Sequence, residues 1–417
     1  MLIDNPLTLI IAAIILFSYA FSRYLEYLNN TCRETKPPQN VKGVYSRDEY
    51  EKSQAYEKET GRFAFITSSF STIIVLTFLM FGGFGLLDDF VRNYTGHPIT
   101  IALLFFGILS TVSFFINLPF TIYETFKIEE KYGFNKTTPR TFVIDILKSG
   151  VISALLGGFL LALLILLLEN AGAWFWLFAW ISVTVISLFI SNFYTSLLLP
   201  LFNKLTPLED GELKEKIEAL SQKVDFPLTQ IYIMDGSKRS SKANAFFSGM
   251  GKKKKIVLFD TLIEKLEVDE IIAVLAHEIG HYKKKHIIKN LISGAVNLLL
   301  LFVLLGWAVE STLLPEALGA KHTEYNIHLS LIAFSFLYTP LSIITGIFSN
   351  VLSRKMEFEA DSYAVSIFKK SPMITALKKL SKDHLANLTP HPSYVYIYYS
   401  HPPLSSRIDN IEKTQSP

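Results

Sequence analysis

The sequence predicts a mostly α-helical integral membrane protein with about seven transmembrane helices and a polar α+β domain interrupted by the last two of them. Three observations predict it. Half of the 417 residues are hydrophobic and only 18% are charged, against roughly 25% charged in soluble chains. The apolar residues gather in runs close to the roughly 20 residues that a helix needs to cross a bilayer. The polar remainder falls mainly in two blocks, 203–290 and 353–417, on either side of the final pair of runs. Membrane lipid is therefore an expected partner. A net charge of +3 and the lack of any nucleic-acid motif argue against a nucleic-acid partner.

Taken in order, the runs are 7–22, 63–87, 99–126, 151–168, 174–202, 291–309 and 327–352. The first has no basic stretch before it and no small-residue cleavage site after it, so it reads as a retained span and not as a signal peptide. Trp174, Phe175 and Trp176 read as interfacial anchors at the start of the fifth. Lysine and arginine set the orientation, because basic connections stay cytoplasmic. Spans one and two are joined by Arg23, Arg33, Lys36, Lys42, Arg47, Lys52, Lys58 and Arg62, whereas spans two and three are joined by Arg92 alone. Lys127, Lys131, Lys136, Arg140 and Lys148 follow span three, 169–173 has no basic residue, and only Lys321 lies between spans six and seven. The alternation places the N-terminus outside and both polar blocks in the cytoplasm. The chain thus divides into a five-span membrane region (1–202), a first polar block (203–290), spans six and seven (291–352) and a second polar block (353–417).

Within the first block, helical periodicity covers 213–224, and 230–234 and 256–259 read as strands. Gly249-Met250-Gly251 is a turn signal between 245–247 and the second strand. From Val268 or Asp269 a strongly apolar helix is expected to run without a breaker through Lys289 into span six.

That helix carries His277-Glu278-Ile279-Gly280-His281. A spacing of four puts both imidazoles on one helical face, one turn apart, where they can share a zinc ion. Glu278 projects beside the ion and can take a proton from water held there. Catalytic zinc uses three protein ligands and keeps one position open. Cys32 is the only cysteine, so no intramolecular disulfide forms and a metal must be held by histidine and carboxylate. Glu357 and Asp361 are also four apart, on one face of a helix leaving span seven, while Glu359 points elsewhere. The hairpin of spans six and seven returns Glu357 to the side where His277 and His281 lie, so Glu357 is the expected third ligand of a single zinc ion. Asp361 is expected to accept the N–H of a ligating histidine and fix its tautomer. His286 is expected to continue the helix without ligating. His97, His322 and His328 fall on the outer side, away from the zinc, and the lysines of 252–255 and 283–285 read as solvated charges beside the membrane.

Several further stretches, together with these motifs, resemble the type I CAAX prenyl proteases, integral-membrane zinc metalloendopeptidases of the HExxH class. They are Ile128-Glu129-Glu130-Lys131-Tyr132-Gly133-Phe134-Asn135, Pro200-Leu201-Phe202-Asn203-Lys204 with Thr206-Pro207-Leu208, and Ser240-Ser241-Lys242-Ala243-Asn244-Ala245-Phe246. Ile256-Val257-Leu258-Phe259-Asp260 and His401-Pro402-Pro403-Leu404 complete the set. The resemblance implies seven long helices enclosing a water-filled intramembrane chamber, capped by a cytoplasmic zincin-like metalloprotease domain. It implies removal of the last three residues from prenylated CAAX peptides, so the expected partner is a peptide or protein substrate with a C-terminal prenyl group. His277, His281 and Glu357 carry over as ligands and Glu278 as general base. Asn244 falls where the family holds substrate backbone, His401 where it donates to a developing oxyanion, and Arg407 where it gives structural support. Two alternatives stand beside this reading: a membrane-protein quality-control metalloprotease without prenyl specificity, and a seven-span receptor or transporter whose HExxH is incidental. The short N-terminus and compact loops favour a bacterial inner membrane over the endoplasmic reticulum.

Overall fold

The computed structural model describes residues 2, 4–33, 39–248, 254–322, 324 and 326–415. Seven long helices carry the apolar runs: α1 (Pro6–Thr31), α2 (Arg47–Met80), α3 (Pro98–Tyr123), α4 (Pro139–Ala171), α5 (Phe175–Phe193) and, after the first polar block, two more. Six helical stretches are long and apolar enough to cross a membrane, and the longest of them, Pro139–Phe202, spans 64 residues. That stretch is two helices, because Gly172 turns the chain with φ 51° and ψ −131°, a backbone conformation that glycine adopts at little steric cost. α4 then packs against α5. Side chains such as Leu155 (70% exposed) and Trp307 (80% exposed) face outward from the helices, as the apolar surface of a membrane-spanning helix would, since lipid tails are as apolar as leucine.

The polar block between α5 and the sixth span begins with strand β1 (Leu205–Pro207) and α6 (Glu212–Lys223), followed by β2 (Leu228–Met234), β3 (Ala245–Ser248) and β4 (Lys254–Phe259). The sheet order is β1-β2-β4-β3. β2 and β4 run parallel, and the two outer strands pair antiparallel. Among the described residues β3 therefore has one unpaired edge. The turn signal Gly249-Met250-Gly251 lies outside the described residues. Next come α7 (Val268–Lys283), the spans α8 (His286–Val309) and α9 (Ile327–Ile367), and then α10 (Lys370–Asp383) and α11 (Leu404–Lys413).

One apolar core joins the two polar blocks. Ile256 and Leu258 of β4, Ile271, Leu275 and Ile279 of α7, Val365 at the end of α9, Leu377 of α10 and Ile408 of α11 are all buried in it. At the other end of the long helices, smaller clusters hold them together through Ile11, Leu79, Phe105 and Leu329, and through Phe175, Phe302 and Leu305. Among the described residues, no buried cluster joins the helices midway along their length. Helices arranged around a chamber would pack in that way.

One expectation fails. The helix from Val268 does not run on into span six. α7 ends at Lys283, and Lys285 takes a left-handed conformation (φ 59°, ψ 31°) before α8 starts at His286. A non-glycine residue in that region costs roughly 1–2 kcal/mol. The surrounding packing pays for the bend, since α7 is fixed in the core of the polar domain while α8 continues as an apolar span.

Candidate metal centre

α7 begins with a reciprocal cap, in which the Glu267 side chain takes an N–H of the first turn and Glu270 returns the contact through a 2.8 Å bond from Glu267 N–H. Its apolar face, Ile271, Leu275 and Ile279, is buried in the core. The 3.6-residue period turns His277 and His281 together toward α9. Close approach of the two helices depends on Gly280, since a Cβ there would lie 3.0 Å from the Ala360 carbonyl oxygen and 3.1 Å from the Ala360 Cα.

This approach brings three side chains that could hold a metal ion together. His277 Nε2 and His281 Nε2 are 3.1 Å apart. Glu357 Oε2 lies 3.5 Å from His277 Nε2, and Glu357 Oε1 lies 3.3 Å from His281 Nε2. Bonds of about 2.0–2.2 Å in a tetrahedron require roughly 3.3–3.6 Å between ligands, so the two Glu357 separations match a zinc-sized ion and the 3.1 Å between the imidazoles is slightly short of it. The donor chemistry fits too. Two ring nitrogens face each other, and the buried Glu357 Oε2 accepts no well-formed hydrogen bond among the described residues. His277, His281 and Glu357 can thus hold a metal ion.

Further groups brace the trio from behind. Asp361, fully buried, lies 2.8 Å from His277 Nδ1. Arg407 clamps the same carboxylate, Nη2 donating to Oδ1 at 2.6 Å and Nε donating to Oδ2 at 2.9 Å. Burial works against protonated His277, but the Asp361 and Glu357 carboxylates more than offset it and raise its pKa to about 9. Burial pushes the Glu278 carboxyl above the usual carboxylate range, against the pull of His277 and His281. Burial also opposes the Arg407 charge, yet Asp361 leaves its pKa raised. Sequence reading missed two residues here. His286 Nδ1 sits 3.0 Å from His281 Nδ1, and its Nε2 lies 3.0 Å from Glu359 Oε2.

A cleft of about 590 Å³ opens over the trio and is lined by Asn244, Glu278, His281, His384 and His401 among others. His401 Nδ1 is 3.1 Å from Glu357 Oε2, with its side chain 67% exposed. Asn244 is exposed just ahead of β3, and its Oδ1 accepts from Ala245 N–H at 2.8 Å. The neighbouring peptide is held on both sides: Ala243 N–H donates to Asp383 Oδ2 at 3.0 Å, and His384 Nε2 is 3.2 Å from the Ala243 carbonyl. His384, whose part the sequence does not reveal, thus anchors the start of the open strand edge. His322 and His328 belong to a separate cluster with Asp89 and Asp88.

Residues 27–204 match the family model described as the CAAX prenyl protease N-terminal region with five membrane helices, and residues 207–415 match peptidase family M48. The chain is similar to the CAAX prenyl protease 1 homolog of Homo sapiens, at 32% identity over 97% of this chain and 95% of that protein. It is also similar to the Arabidopsis thaliana homolog (35% identity, 94% of this chain and 95% of that protein) and to CAAX prenyl protease 1 of Saccharomyces cerevisiae (32%, 98% and 95%). Among solved structures, the crystal structure of S. mikatae Ste24p superposes with a TM-score of 0.93 at 31% identity, covering 98% of this chain and 99% of that one.

Proposed function

The chain belongs to peptidase family M48 and to the CAAX prenyl proteases within it, and from this premise we propose how this membrane metalloendopeptidase works and what it cuts. Family membership removes the receptor or transporter alternative. The ion is zinc, held by His277, His281 and Glu357. When bound, it supplies Lewis-acid polarisation of a carbonyl and acidification of a water molecule. Glu278 takes the proton of the attacking water and delivers it to the departing amine; its raised pKa suits both tasks. Asp361 holds His277 by Nδ1, and Arg407 keeps Asp361 ionised and fixed. His401, at the mouth of the cleft, donates to the oxygen that gains charge in the tetrahedral species.

The substrate peptide lies extended along the free edge of β3 from Asn244, where strand addition supplies backbone hydrogen bonds. A C-terminal prenyl group then extends into the space between the long helices. The distribution of basic residues supports a cleft on the cytoplasmic side with the N-terminus outside. The observation that carries this reading is the meeting of two Nε2 atoms and a buried carboxylate oxygen without a well-formed hydrogen bond among the described residues, in a cleft that Glu278 and the start of β3 also line.

The test is cleavage of a CAAX peptide with and without its farnesyl group by the detergent-purified chain. Release of the last three residues from the farnesylated peptide, with little from the bare one, is expected. Equal cleavage of both, or activity confined to unfolded membrane proteins, would replace prenyl specificity with quality control.

A further inference from the structure

The two histidines of the centre are braced differently. His277 meets the Asp361 carboxylate directly. Behind His281 stands a second imidazole: its Nδ1 is 3.0 Å from Nδ1 of His286, which is 1% exposed. His286 Nε2 is in turn 3.0 Å from Glu359 Oε2, and Lys289 Nζ donates to that oxygen at 3.4 Å.

The order of atoms allows only one proton arrangement that leaves His281 able to ligate. If His281 Nε2 is to bind a metal, its proton sits on Nδ1, so His286 Nδ1 must accept. The His286 proton then lies on Nε2 and is donated to Glu359. In the reverse arrangement His286 donates to His281 Nδ1, which puts the His281 proton on Nε2 and closes it to a metal. A carboxylate at the far end, acceptor only, selects the first arrangement. We propose that His286 and Glu359 are a positioning pair that holds His281 in its metal-ligating tautomer and orientation. This inference rests on the ligand assignment above.

The break after α7 is what makes the pair. In an unbroken helix a residue five positions on points about 140° away from the first, so His286 would face away from His281. The left-handed turn at Lys285 redirects the chain and brings His286, the first residue of α8, back against the site. Glu359 lies two residues from Glu357, on the other side of α9, and reaches the site only through His286.

The test is metal affinity of the full chain by chelator competition, together with the visible spectrum of the cobalt-substituted protein. His286→Leu fills the volume and removes the acceptor. It is expected to weaken zinc binding by about 10–100-fold and to shift the cobalt bands, while the thermal stability of the metal-free protein is unchanged or higher. His286→Gln, whose amide oxygen can accept, should recover part of the loss, and Glu359→Ala should produce a smaller loss in the same direction. Were His286 merely a packed polar residue, leucine would serve as well as histidine. Zinc affinity within about twofold of wild type in His286→Leu overturns the proposal. If that variant does not fold, unchanged affinity and spectrum in Glu359→Ala overturn it equally. Should His281→Ala bind zinc as tightly as wild type, the ligand assignment itself is what fails.

Discussion

Two clusters of histidine and carboxylate lie at opposite ends of the long helices, and in each the ligating atoms are within 4.8 Å of one another: His277, His281 and Glu357 at one end, and Asp88, Asp89 and His322 at the other. In the second cluster the carboxylates are already answered. Asp88, fully buried, accepts from Arg92 Nε at 2.8 and 2.9 Å, and His328 Nε2 lies 2.8 Å away. Lys321 Nζ donates to Asp89 at 2.5 Å. Arg92 also donates to Asn326 Oδ1 at 2.9 Å, which ties Arg92 to the start of α9. At the first cluster Arg407 satisfies Asp361, but Glu357 Oε2 accepts no well-formed hydrogen bond among the described residues, and two ring nitrogens, His401 Nδ1 at 3.1 Å and His277 Nε2 at 3.5 Å, face it. The residue types are alike in the two places. What separates a metal centre from a structural ion-pair latch is acceptor capacity left open at the point where the ligands converge.

Substitutions break or sharpen this contrast in a graded way. His281→Ala or Glu357→Ala should abolish tight metal binding and all peptidase activity, as read by metal analysis and peptide cleavage. Glu278→Gln should keep the metal while cleavage falls by about 10²–10⁴-fold, the range ascribed to a positioned general base. Asp361→Asn should weaken metal affinity by about 10–100-fold, measured by chelator competition, because His277 loses its anionic acceptor. Gly280→Ala should cost about 1–3 kcal/mol in stability and loosen the metal slightly, since the new methyl group pushes α7 from Ala360. Asp88→Ala should leave metal affinity and stoichiometry unchanged. Its effect should fall on the melting temperature, through a loss of about 3–5 kcal/mol as Arg92 and His328 lose their buried carboxylate partner.

Much of the fold was legible in the sequence because the apolar runs are long. The HExxH pair was legible because a spacing of four has one meaning on a helix. Glu357 followed from the return of the hairpin. His286 and Glu359 were not legible, because the reading assumed a continuous helix. The break falls at a lysine, with neither glycine nor proline to mark it. His384 was not legible for a different reason: its partner Ala243 is distant in sequence, and only the tertiary fold brings them together. Asp88 and His328 are likewise 240 positions apart, so the second cluster had no local pattern to announce it.

The most direct test of the central claim is the number of bound metal ions per chain, measured by elemental analysis of the purified wild type, Glu357→Ala and Asp88→Ala proteins side by side. One zinc in wild type and in Asp88→Ala, with none in Glu357→Ala, is the predicted result. Zinc retained at full stoichiometry in Glu357→Ala, or lost in Asp88→Ala, would contradict the account.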